Sequence, residues 1–282
     1  MKACKVITTS FVGRKVRLKT IIQGNPPLKC GHSQNFPTKE SVLDLVKLIF
    51  EEEKRVNCGI DMDTIIVNNN TGWLEGNNYL DTINNSETFN GKILIIHREN
   101  YGRSFGGYNK AFEVFKNDYD YWVFTEDDIL INGDMYYKKS LDQFLSEPDI
   151  GFLAFQGISY NGLDGDIGEN VLHAHGGVGL SSKKVLQELY ENHGSLPYAK
   201  EEISQEYASI IQNGEIAFTN KIHSLGYKLK PLDKHYPLHW YAWDMISGIS
   251  NKSYILSKKR VLLFRVLNKL QRILYKLNPL KG

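Results

Sequence analysis

The stretch Tyr121-Trp122-Val123-Phe124-Thr125-Glu126-Asp127-Asp128-Ile129-Leu130-Ile131 sets three consecutive carboxylates between two apolar runs. Aromatic and β-branched residues with no breaker before Glu126 predict a buried strand, and a second strand-like run follows at once. Ionised carboxylates cannot enter a core unpartnered, because the desolvation of each costs several kcal/mol. The acids therefore mark the point where the chain leaves the sheet. In open α/β sheets, the carboxyl ends of strands are where ligands sit. Two readings fit the triplet by itself: a solvated acidic turn, and a site where a divalent cation bridging a nucleotide diphosphate supplies the missing positive charge.

Working outward, the chain before the acids alternates strand and helix signals. Lys5 to Phe11 predicts a first strand, and Gly24 to Pro37, with its prolines and polar residues, a loop. Thr38 can cap a helix in which Val42, Leu45, Val46, Ile49 and Phe50 recur at helical spacing through Glu53. Thr64 to Val67 predicts a second strand ending at Asn68-Asn69-Asn70-Thr71-Gly72, and Ile93 to Ile96 a third. Residues 97 to 109, with Gly102, Gly106 and Gly107, read as a glycine-rich loop, with a helix continuing to about Phe115. Arg98 or Arg103 would lie near a diphosphate there. The glycine spacing matches neither a dinucleotide fingerprint nor a phosphate-binding P-loop. This order predicts an α/β fold with a mostly parallel sheet flanked by helices. Beyond the acids come an amphipathic helix from about Met135 to Leu145, a strand from Gly151 to Ile158 and a loop from Ser159 to Asn170.

The chain has 282 residues, 41% of them hydrophobic, and a formal charge of +2, too mild to argue for nucleic acid. Cys4, Cys30 and Cys58 follow no zinc spacing and suit reduced thiols. The first residues run into a short strand-like stretch, so the expectation is neither a signal peptide nor a spanning helix, and a cytoplasmic location.

The ordered set of Asn-Asn-Asn-Thr-Gly after a strand, then Arg98-Glu99-Asn100 with Gly102, Gly106, Gly107 and Asn109, then Thr125-Glu126-Asp127-Asp128, resembles the GT-A glycosyltransferases, especially the family-2-type enzymes of bacterial glycan assembly. The resemblance spans roughly residues 3 to 235. It implies a Rossmann-like GT-A domain over residues 1 to 245 that binds a nucleotide-diphosphate sugar through Thr8, Thr9, Ser10, Asn68, Asn100, Gly102, Arg103, Asn109, Glu126 and Asp127. Glu-Asp-Asp would fill the family's D-x-D position. Asp128 would then ligate a divalent cation, Mn²⁺ or Mg²⁺, with Glu126 and Asp127 contacting ribose or metal-bound water.

Two later segments extend the resemblance. Val171 to Ser182, with Gly176 and Gly177, is similar to the family's glycine-containing strand bordering the acceptor. His173 and His175 alternate there, so both would face one side of a strand. Asn213-Gly214-Glu215-Ile216 through Leu225-Gly226-Tyr227-Lys228 is similar to the family's helix whose acid lies under the acceptor hydroxyl. Many relatives carry the aspartate base where this chain has Ile216. Glu215 then either accepts the acceptor's proton or only orients the acceptor. Further on, Trp240 suits stacking on a sugar, and His239, favoured over His235, matches the place of another metal ligand.

The last segment, residues 246 to 282, has no acid. Arg265, Lys269, Arg272 and Lys276 fall on one helical face and leucines, isoleucines and valines on the other, the pattern of an amphipathic helix on an anionic membrane surface. The expected function is metal-dependent transfer of a hexosyl or N-acetylhexosaminyl group to a glycan or lipid-linked acceptor in surface polysaccharide synthesis, on the inner face of the membrane. A nucleotidyltransferase, or a non-catalytic carbohydrate-binding or scaffold protein on the same fold, is the alternative.

Overall fold

The structure is a computed structural model that describes residues 2–11, 39–127, 129–131, 134–155, 158–160, 172–200, 207–232 and 239–241. The basic tail, Asp128, His235, Cys30 and the Gly24 to Pro37 segment lie outside the described residues, as does the proposed division at residue 245.

The first four sheet strands are β1 (Ala3–Thr9), β2 (Met62–Asn70), β3 (Ile93–Glu99) and β4 (Tyr121–Glu126). They are joined by α1 (Lys39–Arg55), α2 (Leu74–Ile83) and α3 (Arg103–Phe115). There follow β5 (Ile129–Ile131), α4 (Tyr136–Leu145), β6 (Ile150–Ala154), β7 (Ile158–Tyr160), β8 (Leu172–Ala174), a 3₁₀ turn (His175–Gly177) and β9 (Gly179–Ser182). After α5 (Lys183–His193), helix α6 (Tyr207–Ile210) runs through a π-helical turn (Ile211–Ile216) into α7 (Ala217–Ser224). Two more strands, β10 (Lys228–Pro231) and β11 (His239–Tyr241), complete the described elements.

Seven strands form one sheet in the order β10-β6-β9-β4-β1-β2-β3. β1, β2, β3 and β4 are mutually parallel, and β10 runs parallel to β6. β9 lies antiparallel to both neighbours, β4 and β6. From β1 the chain steps outward to β2 and β3, then crosses back to lay β4 on the other side of β1. The reversal makes the crevice between the carboxyl ends of β1 and β4 the topological switch point of the sheet.

Period-2 alternation divides the strands between two faces. Cys4 and Val6 of β1, Ile65 and Val67 of β2, and Trp122 and Phe124 of β4 pack against Phe105, Tyr108 and Phe112 of α3, and against α5 and α7. On the other face, Ile7 and Ile66 meet α1 and α2, while Val123 and Leu153 meet α4. Lys5, on the α1 face, is buried in a salt bridge with Glu53, whose other oxygen accepts from Thr64 Oγ1 at 2.8 Å.

Two expectations change. The glycine-rich segment is helix from Arg103 onward, not a loop up to residue 109. A pair of glycines lowers helix propensity, but tertiary packing overrides it. A Cβ on Gly106 would stand 1.9 Å from the Tyr101 carbonyl oxygen, and one on Gly107 2.5 Å from Thr8 Cγ2, so the glycines let α3 press onto β1. The strand expected from 151 to 158 is two, since β6 ends at Ala154 and β7 pairs separately with β8.

At the amino end of the sheet, Asp63 accepts from Lys2 Nζ at 2.8 Å, Tyr119 Oη at 2.8 Å and the Lys92 amide at 3.0 Å. Burial pushes this carboxyl up, but the bonds from Lys2, Tyr119 and Lys92 together outweigh it and hold its pKa below the ordinary value. The stability this contributes is therefore complete above the unfolded-state pKa, near 4, and is lost as pH falls through the lower folded value. Asp63→Asn is expected to cost about 1–3 kcal/mol at neutral pH. Urea midpoints measured from pH 7 to pH 3 should show a smaller acid loss in the variant than in the wild type.

Candidate active site at the switch point of the sheet

The register of β1 against β4 sets Thr8 opposite Glu126. The pairing continues one step past the strand, where the Asp127 amide donates to the Thr8 carbonyl at 3.2 Å. Each acid is then oriented by a hydroxyl from a different element. Thr9 Oγ1 donates to Asp127 Oδ2 at 2.6 Å, and Ser104 Oγ, in the first turn of α3, donates to Glu126 Oε1. Both carboxylates are half-buried at the crevice. Ser104 was not singled out from sequence; its only signal is its place in the glycine-rich segment.

Alternation also separates the asparagines at the end of β2. Asn69 faces α3, where its Oδ1 accepts from Arg98 and its Nδ2 donates to the Arg103 carbonyl at 3.3 Å. Arg98 Nη2 holds the Tyr101 carbonyl at 2.8 Å, and burial draws its guanidinium pKa below the ordinary value. Arg98 thus braces the turn into α3. In that turn Gly102 and Arg103 both have left-handed φ, +64° and +46°. A non-glycine residue there carries local strain of about 1–3 kcal/mol, a feature that clusters at functional sites.

Asn68 faces the opposite way, into α2. Its Nδ2 lies 2.7 Å from Asn77 Oδ1 and 3.0 Å from His97 Nδ1, and His97 Nε2 lies 3.0 Å from Asp81 Oδ1. Asn100 is half-buried, and its buried Oδ1 has no hydrogen-bond partner among the described residues. Asn109 is buried, accepts from the Leu196 amide at 2.8 Å and donates to Glu113 at 2.8 Å, tying α3 to the segment after α5. Ser10 follows β1 directly and is half-buried.

The second group of candidates converges behind α3. His173 ends up apart from His175, because β8 stops at Ala174 and His175 opens the 3₁₀ turn; the two do not share a strand face. His173 Nε2 is 2.7 Å from Glu215 Oε1, and Glu215 Oε2 accepts from the Gly176 amide at 2.9 Å. Gly176 and Gly177 both have φ of +63°, and a Cβ on Gly177 would stand 2.6 Å from Phe105 Cζ. Phe105 also closes on Gly214, and it is the neighbour of Ser104. Glu215 is thus buried, with both oxygens engaged. It lies in the π-helical turn, and Ile216 beside it is fully core. π-Bulges are frequent at functional sites.

Trp240 and His239 are brought towards the acids by backbone pairing: β11 runs antiparallel to β5, with Trp240 opposite Leu130 and His239 opposite Ile131. For a cation, the described residues offer the oxygens of Glu126 and Asp127, a donor type that suits Mg²⁺ or Mn²⁺. Among the described residues no group of three or more His, Cys, Asp or Glu is poised to hold a metal.

No family model matches the chain, and no curated protein matches it. Among solved structures, it is similar to CMP:2-keto-3-deoxy-manno-octonic acid synthetase complexed with CTP, at 13% identity over 82% of this chain and 89% of that one, with a TM-score of 0.44. It is also similar to 4-diphosphocytidyl-2C-methyl-D-erythritol synthase from Anaerococcus prevotii, at 10% identity over 87% and 96% of the two chains and a TM-score of 0.40. For the UTP-bound UGPase from Acinetobacter baumannii the values are 12%, 93%, 98% and 0.35.

A buried carboxylate that loses its bonding role leaves its partners stranded. Glu215→Ala is therefore expected to destabilise the fold by about 3 kcal/mol, well beyond the cost of removing an exposed base. Chemical denaturation of the wild type and the variant measures this directly.

Proposed function

We propose that the protein is a metal-dependent glycosyltransferase that moves a sugar from a nucleotide-diphosphate donor to a hydroxyl of a glycan or lipid-linked glycan. The observation that carries this reading is the pair of carboxylates, Glu126 and Asp127, held at the switch point by Ser104 and Thr9. With Asp128, which the family resemblance assigns as direct ligand, they would hold a divalent cation that offsets charge on the departing diphosphate. Thr9 and Ser104 fix the carboxylates before any ligand arrives, so no reorganisation is needed when charge develops. The strained Gly102-Arg103 turn brings backbone amides at the start of α3 to the same crevice, where they favour an anion. In this reading Glu215 holds the Gly176-Gly177 turn that borders the acceptor. Its partner His173 keeps the carboxylate in place.

The deciding experiment is binding and turnover across a panel of nucleotide sugars with and without Mn²⁺. Sugar transfer or slow donor hydrolysis that requires Mn²⁺ and disappears in Asp128→Ala is the expected result. Pyrophosphate release from a nucleoside triphosphate and a sugar phosphate would instead establish nucleotidyl transfer, and binding of a glycan alone would leave a carbohydrate-binding protein. Thr9→Val removes the hydroxyl that orients Asp127, and should weaken Mn²⁺ affinity about 10- to 100-fold without unfolding the protein. Calorimetric Mn²⁺ titration in the presence of nucleotide checks this.

None of the described helices is long and apolar enough to cross a membrane. We propose that the basic, leucine-rich segment from Lys258 to Leu277 instead lies on the anionic inner face of a membrane. Removal of residues after Ser257 should abolish sedimentation with anionic vesicles and spare activity on a short soluble acceptor. Vesicle binding that persists in the truncated protein would defeat the idea.

A further inference from the structure

β3 is an outer strand of the seven-stranded sheet, and a parallel ladder engages only alternate residues of such a strand. The Thr64 amide donates to the Lys92 carbonyl at 2.8 Å, and with Thr64 opposite Ile93 the ladder continues through Leu94, Ile96 and Arg98. The amides and carbonyls of Ile93, Ile95, His97 and Glu99 therefore point away from β2. Some of these are met locally. Ile93 donates to the Ser86 carbonyl at 2.9 Å and accepts from the Asn85 amide at 2.9 Å, the Ile95 amide donates to Asn84 Oδ1 at 3.1 Å, and the Glu99 carbonyl accepts from the Tyr101 amide at 3.0 Å. What remains, in chain order, is the Ile95 carbonyl, the His97 amide and carbonyl, and the Glu99 amide, none of which is bonded among the described residues. His97 and Glu99 are exposed and Ile95 is half-buried.

The other outer strand is protected. β10 ends in Pro231, which has no amide to offer, and carries Lys228 and Lys230 on either side of Leu229. Proline and lysine are devices that keep a sheet edge from pairing, and β3 has neither between Ile93 and Glu99.

We propose that the outer edge of β3 is a seam for a second copy of this chain, running antiparallel about a two-fold axis at His97. The remaining groups are self-complementary under that operation. The His97 amide and carbonyl meet the carbonyl and amide of the second copy's His97, and each Glu99 amide meets the other copy's Ile95 carbonyl. The groups already engaged, the Ile95 amide and the Glu99 carbonyl, fall opposite each other, where neither needs a partner from across the seam. Moving the axis by one residue, to Ile96 or Arg98, meets only half of the remaining groups. An unrelated extended peptide would bring its own carbonyl and amide against the two engaged groups and leave them stranded. Side chains agree with this register. Asn68 and Asp81 hold the His97 ring over its own chain, which keeps the two opposed rings apart, and Glu99 stands diagonal to the second copy's His97, where a carboxylate complements an imidazole. Because the strands run in opposite directions, the carboxyl ends of the two sheets face opposite edges of the joined sheet. The two switch points therefore open away from each other.

The seam is short, so sedimentation equilibrium of the full chain between about 1 µM and about 1 mM is expected to show a reversible dimer with a Kd of about 10⁻⁴ M. Glu99→Pro removes an outward amide and no bond to β2, a substitution that an edge strand tolerates. It should weaken the dimer about tenfold or more, with a melting temperature close to that of the wild type. In wild-type protein, hydrogen exchange at the His97 and Glu99 amides should slow as concentration rises, while the Ile95 amide, held by Asn84, stays unchanged. In a mixture of carbon-13-labelled and unlabelled chains, filtered Overhauser contacts should join the α protons of Ile96 and Arg98, which this register makes a close, non-hydrogen-bonded pair. A protein that stays monomeric throughout, or a dimer in which exchange at His97 and Glu99 ignores concentration, would overturn the inference. Protection of these amides only in the presence of a different polypeptide would do the same. Should Glu99→Pro not fold, the wild-type exchange and the Ile96–Arg98 contact decide.

Discussion

Everything at the candidate centre depends on the parallel pairing of β1 with β4. That pairing brings a threonine pair from the start of the chain beside acids more than a hundred residues later, and it outlasts the strands by one hydrogen bond, from the Asp127 amide to the Thr8 carbonyl. Without it Glu126 and Asp127 would belong to a solvated turn. With it, alternation along the strands distributes their partners: Glu126 faces α3 and meets Ser104, while Asp127 faces the other way and meets Thr9. One register determines which hydroxyl each acid receives.

The helix that supplies Ser104 can reach Glu126 only because it lies so close to the sheet. Gly106 and Gly107 remove the side chains that would keep α3 off β1 and off its own entry turn. The same helix passes the constraint on through Phe105, whose ring closes on both Gly177 and Gly214. The acid pair and the buried His173–Glu215 pair are thereby joined through two adjacent residues of α3. A sub-ångström shift of this helix would be felt at both, because closely packed interiors transmit displacement instead of absorbing it.

Much of this was legible in the sequence, and the limits have physical causes. The apolar runs of β1 to β4 and the helical spacing of α1 identified themselves, since burial imposes those periods directly. Strand ends did not: Asn68 to Asn70 and His97 to Glu99 are polar yet continue the ladder, because backbone bonding persists where side chains turn to each other instead of to the core. The Gly106-Gly107 pair signals a loop in sequence but lies in helix, since propensity is local and the demand for close packing is not. The insertion of antiparallel β9 between β4 and β6 is a long-range pairing that no local pattern announces. Glu215 was identified as a chemically important acid, but its engagement by His173 and Gly176 depends on contacts 42 and 39 residues apart in the chain. The Asn68 network joins residues 9 and 29 positions away for the same reason.

The π-helical turn at Ile211–Ile216 has a consequence for everything after it. A widened turn holds one residue more than the α-helical winding on either side, and each residue of an α-helix advances the facing direction by about 100°. The turn therefore acts as a phase adjuster between α6 and α7. It allows Glu215 to point at His173 while Phe218, Thr219 and Ile222 still point into the core a turn later. Loss of one residue within it would restore ordinary winding at the cost of rotating one half against the other, so that either the carboxylate or the core face would be out of phase with its partners. In this segment the length of the chain is as strongly constrained as the identity of its residues.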